Sequence, residues 1–378
     1  MEKAMQKGMK HQKGFSVLEL MVALGLGLLV VAGIVQLFVG NSRTYEIVNA
    51  QARLQENARF AFEFISRPAR MAGYYGCAPE LNNMVSQLNG IWDNTPEYDI
   101  TQPVDGWNSN DDNTWGPDNL TSLPRTEGTT NTRVDIPGNG IDRTTLQASS
   151  DLLVFRMIRQ PFAQLAETLQ PDGVPVVLTP GGQPVFEDND VVVVADCEQA
   201  TVFRVTDVAA VGDEVTLSRD TAAGTFANGT NVVTPTGDII PATLSLIGRS
   251  YGETATVGVV ESHFFFIAES TESDRFDDPV FALWEKVGAD APRELVQGVD
   301  DMQVLFGIDT SGAAVPAVER YVSVQTMQDL RDASPLAPLA IAAVQVRLRI
   351  TSVEPLAEFG NQPMERTFTK TIHVRNFG

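Results

Sequence analysis

Gly14-Phe15-Ser16-Val17-Leu18-Glu19 opens an apolar run that continues to Val39, with Gln36 as its only other strongly polar residue. Ahead of it, Lys3, Lys7, Lys10 and Lys13 stand against Glu2, so four positive and one negative side chain sum to +3. Residues 15–39 form a helix of about 37 Å at ~1.5 Å per residue, enough to cross a hydrocarbon core of about 30 Å with some tilt. The basic leader predicts a cytoplasmic N-terminus, and everything after Asn41 is then extracytoplasmic.

Glu19 sits one turn inside this run. A carboxylate at mid-membrane costs about 2.5–3.5 kcal/mol on an insertion scale, less near the interface, so it requires a partner. An ordinary cleaved secretory signal, for which Ala50-Gln51-Ala52 offers a small-residue cleavage pattern, fits poorly. Its apolar core would be shorter and carboxylate-free. A plain single-span anchor accounts for the length but leaves Glu19 without a role.

Past Asn41 the chain becomes amphipathic. Leu54, Ala58, Ala61 and Ile65, with Phe62 beside them, form one stripe, while Arg53, Glu56, Arg59, Glu63 and Arg67 face elsewhere. Glu63 and Arg67 make a favourable i,i+4 pair, and Pro68 predicts the helix end over 40–68. The stripe is too short for a free coiled coil. It predicts a helix whose outer half packs on the domain that follows. Gly25, Gly27 and Gly33 permit close helix contact or bending, as glycines of ordinary membrane helices do.

Residues 82–142 are dense in Asn, Asp, Gly, Pro, Ser and Thr and read as long loops with short ordered pieces. Within them residues 105–112 are rich enough in oxygen ligands to raise calcium, but lack the spacing and terminal glutamate of an EF-hand, so a solvated surface loop is expected. Asp309-Thr310-Ser311-Gly312 reads as a plain turn. From Asp151 onward β-branched and aromatic runs predict strands at 152–158, 191–195, 201–205, 214–217, 254–261, 263–268, 280–285, 302–308, 343–351 and 367–375. Val344, Val346, Leu348 and Ile350 alternate with Gln345, Arg347 and Arg349, the pattern of a half-buried antiparallel strand. The fold class is therefore α+β: a long N-terminal helix packed on a large antiparallel β-rich head spanning 69–378.

Gly248-Arg249-Ser250-Tyr251-Gly252 matches a nucleophile elbow, with His263 and His373 downstream. The elbow needs a helix after it, and the residues that follow read as strand, so a membrane-anchored serine hydrolase is a remote alternative. No phosphate loop or zinc-type cluster is present in the sequence, and no metal or other cofactor is expected. The chain carries a net charge of −21, and removing the +3 leader leaves −24. Such acidity disfavours nucleic acid as a partner. Cys77 and Cys197 are the only cysteines, and an oxidising compartment predicts a disulfide between them, two separate buried thiols being the alternative. Closing a loop of ~120 residues contributes up to roughly 4–5 kcal/mol in the chain-entropy model.

The segment Gly14 to Glu19 closely resembles the class III leader of type IV pilins and pseudopilins. That resemblance implies cleavage by a prepilin peptidase between Gly14 and Phe15, N-methylation of Phe15, and pairing of Glu19 with a neighbouring subunit's N-terminal amine. The remainder resembles the PilW family of minor pilins at residues 55–62, 72–77, 150–156, 195–198, 293–299, 302–307 and 374–376. The family implies a non-enzymatic subunit of a priming or tip complex, supporting pilus assembly, twitching motility or adhesion. Its partners would be other minor pilins, the major pilin and the inner-membrane assembly machinery, with a tip adhesin a further candidate. Localisation follows as the bacterial inner membrane before assembly and the pilus afterwards. The large tip pseudopilin of type II secretion is the competing assignment.

Overall fold

In a computed structural model of the chain, one helix, α1, runs unbroken from Val17 to Met71. Its 55 residues span about 80 Å at ~1.5 Å each. The structure describes residues 16–76, 83–88, 98, 100, 102–109, 115–116, 146–147, 150–160, 162–170, 175–179, 186–212, 214–221, 227–234, 238–240, 250–288, 290–311, 316–333 and 339–376. Ser16 caps α1: its Oγ accepts from the Leu18 amide at 3.2 Å.

The helix passes Pro68, where the sequence reading ends it, and stops three residues later. A proline removes one amide donor, but Pro68 and Ala69 are buried, and Ala72 N still donates to the Pro68 carbonyl at 2.8 Å. Tertiary packing therefore outweighs the local preference.

The described strands form three sheets. The largest has twelve and is organised by the strand Thr256–Ser273, which joins the two runs expected separately at 254–261 and 263–268. Its first half pairs with Val191–Ala195, its middle with Leu152–Ile158 and its far half with Pro279–Val287. Only Ser262 separates the two runs, and it is buried in register with Arg156, so the extended backbone continues through it. Gly258 lets the sheet faces approach here, since a Cβ would sit 2.1 Å from Ile158 Cγ2. A three-stranded sheet (Val176–Leu178, Glu214–Ser218, Asp207–Val211) lies to one side.

The C-terminal sheet has four strands in the order Arg320–Ser323, Val299–Asp309, Ala340–Thr351, Glu365–His373. A short helix, α2 (Val324–Ala333), follows the first of these in sequence order after Arg320–Ser323. Val344, Val346, Leu348 and Ile350 are all buried, as their alternation predicts. Among the described strands every pairing is antiparallel except Met84–Leu88 with Ala200–Arg204.

Three short pieces of the region read as long loops are strands: Met84–Leu88, Val104–Ser109 and Trp115–Gly116, the last two paired with each other. Met84–Leu88 is buried at every position, and Val104–Ser109 pairs with Leu152–Ile158. Val104, Asp105 and Trp107 are buried, so the solvated-loop reading of 105–112 fails for its first residues. Polar composition misled because Asp105 turns inward to the buried Arg156, 3.8 Å away, while the Gly106 amide donates to its other oxygen at 2.8 Å. Residues 110–112 lie outside the described residues. One hydrophobic core joins α1 to both larger sheets, through Leu54, Ile65, Phe155, Phe265, Phe306 and Leu348.

Candidate assembly site

The two halves of α1 differ in burial. Val17 to Val39 is exposed throughout, with Leu18, Leu28, Leu29, Leu37 and Phe38 each about 70 % accessible. It is the one described helix long and apolar enough to cross a membrane. From Ala50 the helix buries Leu54, Ala58, Ala61, Phe62, Ile65 and Ala69 against the head. Fully burying a Leu, Ile or Phe contributes about 1.5–3 kcal/mol, so these contacts fix the helix on the head strongly enough to transmit its position.

Glu19 lies in the first turn of α1, exposed among apolar side chains. The helix dipole favours a negative charge there. No ion pair among the described residues reaches it. Gly14 and Phe15, the expected cleavage and methylation positions, lie outside the described residues.

Polar contacts complete the clamp. Asn57 Nδ2 donates to the Gln297 carbonyl at 3.0 Å, beside Gly298, whose φ is +75° and where a Cβ would sit 2.5 Å from the Thr351 carbonyl oxygen. At the helix end Gly73 (φ +77°) donates to the Arg156 carbonyl at 3.0 Å, and Asn376 Nδ2 donates to the Ala72 carbonyl at 3.2 Å. A Cβ on Gly73 would meet the Asn376 carbonyl oxygen at 2.4 Å. Gly73→Ala is thus expected to destabilise the head by about 1–3 kcal/mol from the left-handed backbone alone, read as a lower melting temperature. An unchanged melting point would show that the helix end does not need this turn.

Two ionisable groups of the head have shifted titration, Asp151 buried and His263 half-buried. Asp151 Oδ2 accepts from Val304 N at 2.7 Å, and Ser150 Oγ accepts from Met302 N at 2.9 Å, so this dipeptide hooks the strand Val299–Asp309. Burial pushes the Asp151 carboxyl up to about 7, against the Val304 amide and with help from Asp301. On the strand Thr256–Ser273, His263 Nδ1 lies 2.8 Å from Glu285 Oε1 and Nε2 lies 3.6 Å from Glu261 Oε2. Burial opposes the charged imidazolium, but these two carboxylates outweigh it and raise His263 to about 9. Arg293 Nε adds a 2.9 Å bond to Glu285 Oε2. Sequence reasoning missed this cluster because its members are 32 residues apart at the extremes, from Glu261 to Arg293, and only cross-strand register unites them.

The elbow-like residues are structural. Tyr251 N and O pair with Leu169, and Tyr251 OH lies 2.7 Å from Thr201 Oγ1. Ser250 Oγ donates to Gln170 Oε1 at 3.2 Å; Gly248 and Arg249 lie outside the described residues. A strand follows instead of a helix, and His263 and His373 belong to different sheets. Asp309 accepts from Ser311 N and Ala317 N, both at 2.7 Å; Gly312, the last residue of the expected turn, lies outside the described residues. Cys197 is exposed on the turn after Val191–Ala195, and Cys77 lies outside the described residues.

Residues 9–35 match the family model described as Prokaryotic N-terminal methylation motif, which covers Gly14, Phe15 and Glu19. Residues 264–376 match the model Type IV Pilus-assembly protein W. No curated protein and no solved structure matches the chain. The second match takes in the resembling stretches at 293–299, 302–307 and 374–376, while those at 55–62, 72–77, 150–156 and 195–198 fall outside it. Three of these four are joined to it physically, through Asn57 to Gln297, Ala72 to Asn376, and Ser150-Asp151 to Met302 and Val304. A methylation motif implies processing by a prepilin peptidase, and with the apolar helix it suggests membrane anchoring and association with other pilus components. With the leader, the exposed apolar helix and the C-terminal sheet in agreement, these matches support a PilW-like type IV pilin, a structural pilus component.

Proposed function

We propose that this subunit is a minor pilin of the priming or tip complex from which a type IV pilus grows. The observation that carries the reading is the division of α1 into a fully exposed apolar half and a half sunk into a very large head. The exposed half has the surface a helix needs to pack among other such helices, and a bulky head suits a filament end better than close helical repetition. The prepilin peptidase cuts after Gly14 and methylates Phe15; Glu19 then pairs with the N-terminal amine of a neighbour. Before assembly the helix crosses the inner membrane with its N-terminus in the cytoplasm, a topology supported by the +3 leader.

In the periplasm Cys77 and Cys197 form a disulfide, a reading supported by the lack of free cysteine among the described residues. Thiol counting in denaturant without reductant should find none; two reactive thiols would overturn it. Roles in twitching motility and adhesion belong to the same proposal.

Mass spectrometry of the membrane-extracted protein should find a chain beginning at methylated Phe15. A chain retaining Met1 would contradict the processing step. Deleting the gene and scoring surface piliation separately from protein secretion distinguishes the pilus from a type II secretion pseudopilus, since only the former should be lost.

A further inference from the structure

We propose that the membrane-proximal rim of the head, formed by the turns at 274–278 and 356–360, docks on the bilayer surface and places Phe276 and Phe359 among zwitterionic aminophospholipid headgroups. The proposal rests on the reading of α1 as a membrane span. The apolar run of that span ends at Val39, and Arg43 and Tyr45 are the first basic and aromatic residues beyond it. Arg43 lies about 6 Å past Val39 along the axis, within a headgroup layer of roughly 5–8 Å per leaflet. Such residues mark the interface level.

Arg43 Nε meets Glu358 Oε1 at 3.1 Å, so the head reaches down to that level. The next residue, Phe359, is 46 % exposed at the end of the 3-10 turn Ala357–Phe359. That turn is held by Leu356 N to Gln362 O and Asn361 N to Leu356 O, both 3.0 Å, so Phe359 projects from a fixed loop. Beside it, Arg275 Nη2 donates to the Pro355 carbonyl at 2.7 Å, and its guanidinium lies 4.9 Å from the Phe276 ring centroid. Phe276 is 56 % exposed. Exposed single apolar residues are ordinary on any surface. These two share one rim, tied to the helix where it leaves the hydrocarbon.

Charge selects the lipid. Arg43 and Arg275 are outnumbered by Asp274, Asp277, Asp278, Glu354 and Glu358. An acidic rim repels anionic headgroups and favours the ammonium of phosphatidylethanolamine.

The test uses the full chain in vesicles, with an environment-sensitive fluorophore on Phe359→Cys and lipids carrying a headgroup-level quencher. In phosphatidylethanolamine–phosphatidylcholine vesicles roughly half or more of the emission should be quenched, as for an interfacial side chain. Ile239→Cys, on the far sheet edge and 64 % exposed in the parent, should remain unquenched, and the parent chain sets the labelling background. Leu37→Cys with an acyl-chain quencher reports the span separately. If Leu37→Cys is not quenched, the membrane span itself fails. Quenching there without quenching at Phe359→Cys overturns the rim proposal alone, and equal quenching at Phe359→Cys in anionic vesicles overturns the headgroup assignment.

Discussion

Replacing Glu19 with valine is expected to leave the protein in the membrane and to remove nearly all of it from assembled filaments. The side chain is exposed in the first turn of α1, surrounded by residues such as Val17, Leu18, Leu20 and Met21 that are themselves more than half exposed. In the bilayer its removal lowers the insertion cost, so membrane retention should improve slightly. Within a filament the same carboxylate is the group that a neighbour's N-terminal amine would meet. Losing one partner of a buried ion pair costs about 3–5 kcal/mol, because the remaining charge is stranded. That corresponds to a drop in incorporation of roughly 10²-fold to several thousand-fold. Immunoblotting of sheared filaments against the membrane fraction measures it, and an unchanged ratio would remove the pairing role.

Stability of the head should fall as pH rises from about 4 to 9, in two separable steps. Asp151 has a folded-state pKa raised from 3.8 to about 7. Between those values the folded head keeps a proton that the unfolded chain has lost, so stability falls with rising pH and levels off above 7. The full step is up to about 4 kcal/mol. Asp151→Asn keeps an oxygen for the Val304 amide without the charge; it should raise the melting temperature at pH 8 and leave it near the parent's at pH 4.

His263 is raised from 6.5 to about 9, so its contribution is complete below pH 6.5 and lost through pH 9, up to roughly 3 kcal/mol. His263→Gln should flatten this upper step. Glu261, lowered by its bond to His263, and Glu285, lowered against burial by His263 and Arg293, act in the opposite sense at the acid end. Their stabilisation is lost as pH falls below 4.5 towards their folded values. The melting temperature should therefore peak in mild acid. A flat profile from pH 6 to 9 would show that the His263 cluster is not linked to folding.

Legibility followed range along the chain. The membrane-length run, the buried stripe from Leu54 to Ile65 and the alternating strand at Val344 to Ile350 are all periodic patterns within about a dozen residues, and the structure contains each of them. Met84–Leu88 escaped because Met-Val-Ser-Gln-Leu has no alternation, every position being buried, and its pairing partners lie 116 and 140 to 147 residues further on (84 to 200, 88 to 228 and 86 to 233). Asp105 looked solvated because its partner Arg156 is remote in sequence. The same holds for His263, Glu285 and Arg293.

By itself the sequence determined that an exposed apolar helix with a carboxylate in its first turn would precede a β-rich domain. Hydrophobic period and length settle those features before any tertiary contact forms. Only the tertiary structure decided how the head holds the helix. It carried α1 past Pro68, aimed Asn376 at the turn of Gly73 and brought Glu358 down to Arg43. Each of these depends on residues brought together by folding, and no local pattern specifies such a meeting.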